Sequence, residues 1–224
     1  MNPVWKELHK KQRSELIKIQ KQIAKRVVLK DDFSKPIKTI AGFDLAFFDD
    51  KAIATGVVID YKHLHIKEMK TIEVELSFPY ISTFLTFREG PPIIHIIKSL
   101  KAKPEIFFIN AHGIAHPRFC GCASYVGIMA DVATIGIASR NLCGVHNIEP
   151  KNAGDYAPQY YAGRDVGWIL KSKEKCRPIF LSPGHRICLR SALDLSLKCL
   201  RNRKFPEPAQ IAHTIANEEK RRLS

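Results

Sequence analysis

Several things are scarce or missing in this 224-residue sequence. No stretch of about 18 consecutive apolar residues occurs, which excludes a hydrophobic membrane-spanning helix. The opening segment MNPVWKELHKKQRSELIKIQKQ is charged throughout and carries no apolar signal core. The six cysteines, at 120, 122, 143, 176, 188 and 199, form no CxxC pair. In a reducing compartment they are expected to be small buried hydrophobes. There is no internal repeat and no low-complexity linker. Acidic residues are outnumbered, 22 Asp+Glu against 36 Lys+Arg, which leaves a formal charge of +14. The reading is a cytoplasmic protein with no membrane association, one domain over residues 1–224, and a polyanionic partner, nucleic acid ahead of a membrane surface. A hydrophobic fraction of 45% is ordinary for a globular chain of this length and supports a sizeable core.

Periodicity predicts the elements. Leu16, Ile19, Ile23 and Val27 recur at three- and four-residue steps, so residues 5–29 read as a helix with Lys and Arg on its other face. In TIAGFDLAFF (39–48), Phe43, Leu45 and Phe47 alternate with Gly42, Asp44 and Ala46, a strand with a carboxylate on one face. Strands at 52–59 and 64–75 complete a meander after a turn at Asp49-Asp50-Lys51. Pro91 and Pro92 mark the start of a helix over 93–101. Strands follow at 105–109, 132–138, 165–171 and 178–181, with helices at 119–130, 189–200 and 208–222. Ser182-Pro183-Gly184-His185 reads as a turn. A meander followed by strand–helix alternation implies an α/β fold, a mixed sheet with helices on both faces.

Polar groups end or interrupt these apolar elements at Asp44, Asn110 and His185, and Glu89 sits at the mouth of a helix. Magnesium takes a few oxygen ligands and keeps several waters. Phosphodiester cleavage gains from such ions. Carboxylates from a strand centre, a strand end and a helix start can converge on them. Singly, each residue is equally well read as a turn, cap or hydrogen-bonding residue. A rival reading of INAHGIAHPRFCGC (109–122) is a zinc site from His112, His116, Cys120 and Cys122.

IAGFDLAFF, FPYISTFLTFREGPP, INAHGIAHPRFCGCAS, DVATIGIAS, LCG, IFLSPGHRI and FPEPAQIAH occur in that order. Together, over about residues 10–215, the chain resembles the endonuclease V family, metal-dependent nucleases that cut nucleic acid on the 3′ side of inosine. The resemblance implies a ribonuclease-H-like fold, Mg2+ or Mn2+ as cofactor, a role in repairing deaminated adenine, and a monomer. It aligns Asp44 with a metal-binding carboxylate, Glu89 with a second acidic residue and His185 with the histidine that completes the site. Asn110 falls where the family has a metal-binding Asp, so Asp44 and Asn110 are the expected metal ligands. Tyr80 matches an aromatic wedge, and Arg88, His116 and Ser139 join it on the substrate side. The small residues Gly113, Ala115, Gly121 and Ala123 would leave room for an extruded base.

Three positions depart from the family pattern. Asp-Gly-His-Gly is Asn110-Ala111-His112-Gly113 here, a lysine is replaced by Ser139 with Arg140 beside it, and a proline by Ala133. The expected function is inosine-directed cleavage of DNA, and of RNA as a further substrate, with activity weakened by Asn110. The alternative is an inosine- or structure-binding protein of the same fold with little or no cleavage.

Overall fold

A computed structural model describes residues 10–223. In chain order its elements are α1 (Lys10–Ala24), β1 (Thr39–Phe48), β2 (Lys51–Asp60), β3 (Ile66–Glu75), α2 (Thr86–Ser99), β4 (Ile106–Ile109), α3 (Cys122–Ala130), β5 (Thr134–Ala138), β6 (Tyr156–Tyr161), β7 (Arg164–Leu170), β8 (Ile179–His185), α4 (Leu189–Lys198) and α5 (Glu207–Leu223). The eight strands form one mixed sheet in the order β3-β2-β1-β4-β5-β8-β7-β6. β1 to β3 are the antiparallel meander, β4 and β5 run parallel to β1, and β8, β7 and β6 continue antiparallel.

The two-residue period of β1 distributes its side chains between two cores. Ile40 packs with Phe108, Ile135, Ala192, Leu193, Ala209 and Ala212, so α4 and α5 cover one face. Ala41, Phe43 and Leu45 pack with Ile93, Ile96, Ala123 and Val126, so α2 and α3 cover the other. This is the expected α/β architecture, a ribonuclease-H-like mixed sheet with helices on both faces. Among the described residues no helix is long and apolar enough to cross a membrane.

Four expectations need correction. The part of the first helix before residue 10 lies outside the described residues, and its other end comes at Ala24. The second helix starts at Thr86, not 93: the Leu85 carbonyl accepts from the Arg88 and Glu89 N–H groups, closing a turn ahead of Pro91 and Pro92. Residues 182–185 are strand, not turn. Pro183 pairs with Ile135 and His185 with Thr134, and an irregularity in register between those pairs accommodates a proline that has no ladder N–H to give. The edge strand β6 stands where no element was expected: Pro158 and Gln159 leave it no apolar run, although Ala157 and Gln159 alternate inward.

Gly42 decides where α5 lies. It points to the α5 face of β1, and a Cβ there would stand 1.9 Å from the Pro208 carbonyl oxygen and 2.7 Å from the Ala209 nitrogen. Helix backbone and strand are in direct contact because no side chain separates them. Gly42→Ala is therefore expected to push α5 off β1 and to destabilise by about 1–3 kcal/mol or more, the scale of overpacking in a dense core. Thermal or urea unfolding measures it, and a variant as stable as the parent would contradict this contact.

Candidate active site

Phe43 stands opposite Ile109 on the parallel pair β1–β4, which brings Asp44 beside Asn110 where β4 ends. The Asn110 N–H donates to the Phe43 carbonyl, and its side-chain Nδ2 donates to Asp44 Oδ1 at 2.8 Å. The other carboxylate oxygen, Asp44 Oδ2, accepts from Nδ1 of His213, on α5, at 2.6 Å. This bond raises the His213 pKa and assigns a proton to Nδ1. Asn217, one turn later, donates to the His213 carbonyl at 2.7 Å. Glu89, in the first turn of α2, is buried. Burial, and then the charge of Asp44, push its carboxyl up to about 8, with Arg88 opposing.

Two cavities share Glu89 and Asn110. One, of about 350 Å³, is lined by Asp44, Leu45, Ile93, His213 and Asn217 as well. The other, of about 380 Å³, extends between Tyr80, Thr83, His112, His116, Gly121 and Ser139. Tyr80 is 71% exposed at its rim. His116 is a buried wall: Nε2–H donates to the Thr83 carbonyl while Nδ1 accepts from the Arg118 N–H, and burial first of all brings its pKa down to about 3. His112 donates from Nε2 to the Arg140 carbonyl, and burial takes it down to about 4. Both rings are neutral near pH 7, so neither brings charge to this cavity.

The structure thus brings Asp44, Glu89 and Asn110 together and sets Tyr80, His116 and Ser139 around an adjoining cavity. It does not bring His185 there. That residue ends β8 beside Thr134, three strands from β1 and toward the opposite end of β4 and β5. Its Nδ1 accepts from the Val28 N–H, and it lines neither cavity. The histidine that bonds Asp44 is His213, the last residue of the FPEPAQIAH block and the seventh residue of α5. Arg88 also stands outside both cavities. It donates to the Phe78 carbonyl at 2.6 Å and lies over the Phe47 ring. Of the small residues, Gly121 lines the larger cavity, whereas Gly113 packs against the Pro183 carbonyl.

The zinc reading fails on chemistry. Both histidines donate to carbonyls, burial raises the Cys120 thiol to about 12 and Cys122 well above its ordinary value, and among the described residues no three His, Cys, Asp or Glu side chains are grouped to hold a metal. The same holds around Asp44. A hard divalent ion nevertheless fits there, because magnesium binds through one or two carboxylates and completes its shell with water and substrate phosphate. The Asp44 charge opposes ionisation of Glu89 across the cavity that both line, an electrostatic condition that a divalent cation would relieve. Asn110 adds an amide oxygen.

The sequence profile of endonuclease V matches residues 21–214. Curated relatives called endonuclease V include one from Protochlamydia amoebophila, 38% identical over 208 residues that cover 89% of this chain and 86% of that protein. One from Xanthomonas campestris is 39% identical over 202 residues, covering 89% and 85%. The chain belongs to the endonuclease V family. It shares the family's fold with the catalytic domain of human endonuclease V, at a TM-score of 0.88, 26% identity and coverage of 96% and 98%. Ciona intestinalis endonuclease V in complex with a DNA 24mer containing inosine followed by a ribo-adenosine superimposes at a TM-score of 0.84, with 26% identity and coverage of 96% and 99%. The family is one of metal-dependent endonucleases, and the chain is an endonuclease of that family.

Glu89 makes the site's protonation measurable. Its folded pKa of about 8 lies above the ordinary 4.5, so between those values the folded state holds a proton that the unfolded chain has lost. Its contribution to stability is full below about pH 4.5 and is lost as pH rises through about 8. His213, also raised, acts in the same direction, whereas His112 and His116, lowered by burial, oppose it below their ordinary 6.5. The difference between parent and Glu89→Gln isolates the carboxyl. In chelator, the melting temperature of the parent is expected to drop relative to Glu89→Gln between pH 5 and 8. A constant difference across that range would show Glu89 ionised throughout.

Proposed function

We propose that this protein cuts inosine-containing DNA on the 3′ side of the modified base, with RNA as a second substrate, in the repair of deaminated adenine. The observation that carries the reading is the junction of the two cavities. Asp44, Asn110 and Glu89 stand at one end of the sheet, and the same Glu89 and Asn110 border a room walled by Tyr80, neutral histidines and Gly121. A strand can lie with its phosphate at the acidic group and a base in the adjoining room. Tyr80, exposed at the rim, can stack where a base has left, a contact worth about 1–3 kcal/mol. The excess of Lys and Arg supplies sequence-independent, salt-sensitive affinity for phosphates. The protein works as a monomer of one domain, in the cytoplasm.

Asp44 and Asn110 are the proposed ligands of a magnesium or manganese ion, and Glu89 would hold a second ion or a water of its shell. When bound, such an ion polarises the phosphate and lowers the pKa of water. Asp44 orients the His213 ring through Nδ1. Glu89 must surrender its proton before it can serve as a charged ligand.

Asn110 is the specific reason for a second reading, a binder that cuts poorly. An amide oxygen can replace a carboxylate as a ligand but brings no charge. Two unit charges about 4 Å apart attract by about 4 kcal/mol at an effective dielectric of 20, before desolvation offsets part of it. With one charge fewer, the site is expected to need more metal, to favour manganese, or to turn over slowly.

Cleavage of an inosine strand against a matched adenosine strand, in magnesium and in manganese, tests the reading. The parent is expected to cut the inosine strand selectively and Asp44→Ala not at all while still binding it. Equal cutting of both strands would leave a general nuclease, and binding without cutting would favour the second reading. Asn110→Asp is expected to lower the metal concentration at half-maximal rate and to raise the rate. Identical metal titrations for parent and variant would remove Asn110 from the metal shell.

A further inference from the structure

The turn that follows Tyr80 contains a residue in an unfavourable conformation. The Phe84 N–H donates to the Ile81 carbonyl at 3.0 Å and closes a tight turn, with Thr83 at its third position and φ of 69°. That position ordinarily takes Gly or Asn, since a β-branched side chain crowds the backbone at positive φ. The conformation needs outside support, and the support is concentrated on one residue. The Thr83 carbonyl accepts from Gln20 Nε2 at 2.9 Å, His116 Nε2 at 3.0 Å and Arg118 Nη2 at 2.6 Å. The same Arg118 nitrogen also donates to the Thr83 hydroxyl at 2.6 Å. Arg118 Nε donates to Gln20 Oε1 at 2.6 Å, and its guanidinium lies 4.5 Å from the centroid of the Phe84 ring. Gln20 is fully buried on α1. The donors therefore come from two separate parts of the chain, α1 and the loop after β4, and meet on a turn that belongs to neither.

Gln20 and Arg118 line neither cavity. Their target does: Tyr80, Ser82 and Thr83 form one wall of the larger one. We propose that Arg118 and Gln20 are positioning residues that clamp the Ile81–Phe84 turn through Thr83, holding Tyr80 and the wall of the base cavity in their binding form before nucleic acid arrives. The inference rests on the inosine reading for what the cavity receives, but the clamp itself does not. A turn held open part of the time would lower apparent affinity in proportion to the fraction still competent, and would leave the acidic group that cuts untouched.

Three variants of the full chain test this: Arg118→Leu, Gln20→Leu and Arg118→Lys, the last keeping the charge and one donor. Amide hydrogen exchange over residues 80–87 reads the turn without reference to activity. Faster exchange at Phe84 and Phe87 in both leucine variants, with β1 unchanged and partial recovery in Arg118→Lys, is expected. Steady-state cutting of an inosine strand should show KM raised about tenfold in Arg118→Leu, the effect of a turn competent about one-tenth of the time, with kcat within about twofold. Unchanged exchange in 80–87 would overturn the clamp, whatever the kinetics. So would kcat falling with KM unchanged, which would place Arg118 in the chemistry. If the parent cuts no inosine strand, the reading of the substrate fails while the exchange measurement still decides the clamp. Should Arg118→Leu not fold, Gln20→Leu and Arg118→Lys carry the same comparison.

Discussion

The acidic end of the sheet depends on how closely α5 lies against β1. Gly42 lets the Pro208 carbonyl rest on the strand, where any side chain would hold the helix off. From that contact two residues along the strand advance about 6.6 Å to Asp44, and five along the helix advance about 7.5 Å to His213. The two rises nearly match, so the carboxylate and the imidazole arrive level and bond at 2.6 Å. The histidine of the site is thus held by a backbone contact one helical turn away rather than by the loop that precedes it.

Charge sets the second constraint. Two carboxyls lie at this buried end, and each is neutralised differently. Asp44 accepts from Asn110 and His213, one oxygen to each, while Glu89 is pushed toward its protonated form. An acid in place of Asn110 would add a third carboxyl 2.8 Å from the first and remove a donor to it. The amide therefore suits the site without a metal better than a carboxylate would, and it suits the site with a metal less well, because hard cations follow ligand charge. One substitution at the end of β4 shifts the balance between a stable resting site and a strongly binding one.

The adjoining cavity is governed by hydrogen bonds and strain. His112 and His116 are neutral because burial disfavours their charged forms, and each is tied to a carbonyl. Gly113 packs on the Pro183 and Ser182 backbone, which keeps the loop after β4 close to β8, and Gly121 packs on the backbone of His112 and Gly113 within that loop. The positive φ of Thr83 gives the wall a shape that local preference would not choose. A binding site built from oriented N–H and C=O groups needs such outside restraint, because the wall is a turn rather than a helix or strand.

Much of this was legible in the order of the residues. Alternation placed β1 and Asp44 on the right strand, and the apolar run at 106–109 placed Asn110 at its end. The block FPYISTFLTFREGPP put Tyr80 and Glu89 near one another, and the excess of basic residues pointed to a polyanion. These are local properties: side-chain period, turn chemistry and composition act over a few residues, so the sequence by itself determines them. Which histidine joins Asp44 is not local. His185 follows an apolar strand and looks like a site residue, but β8 runs antiparallel to β5, so its last residue emerges at the far end of the sheet. His213 ends the FPEPAQIAH block on an amphipathic helix, where periodicity does not mark it out, and it reaches Asp44 only because α5 packs on Gly42. The role of Arg118 likewise exists only where α1, the loop after β4 and the turn after Tyr80 meet. Strand direction and helix packing, which depend on the whole chain closing around two cores, decided those partners.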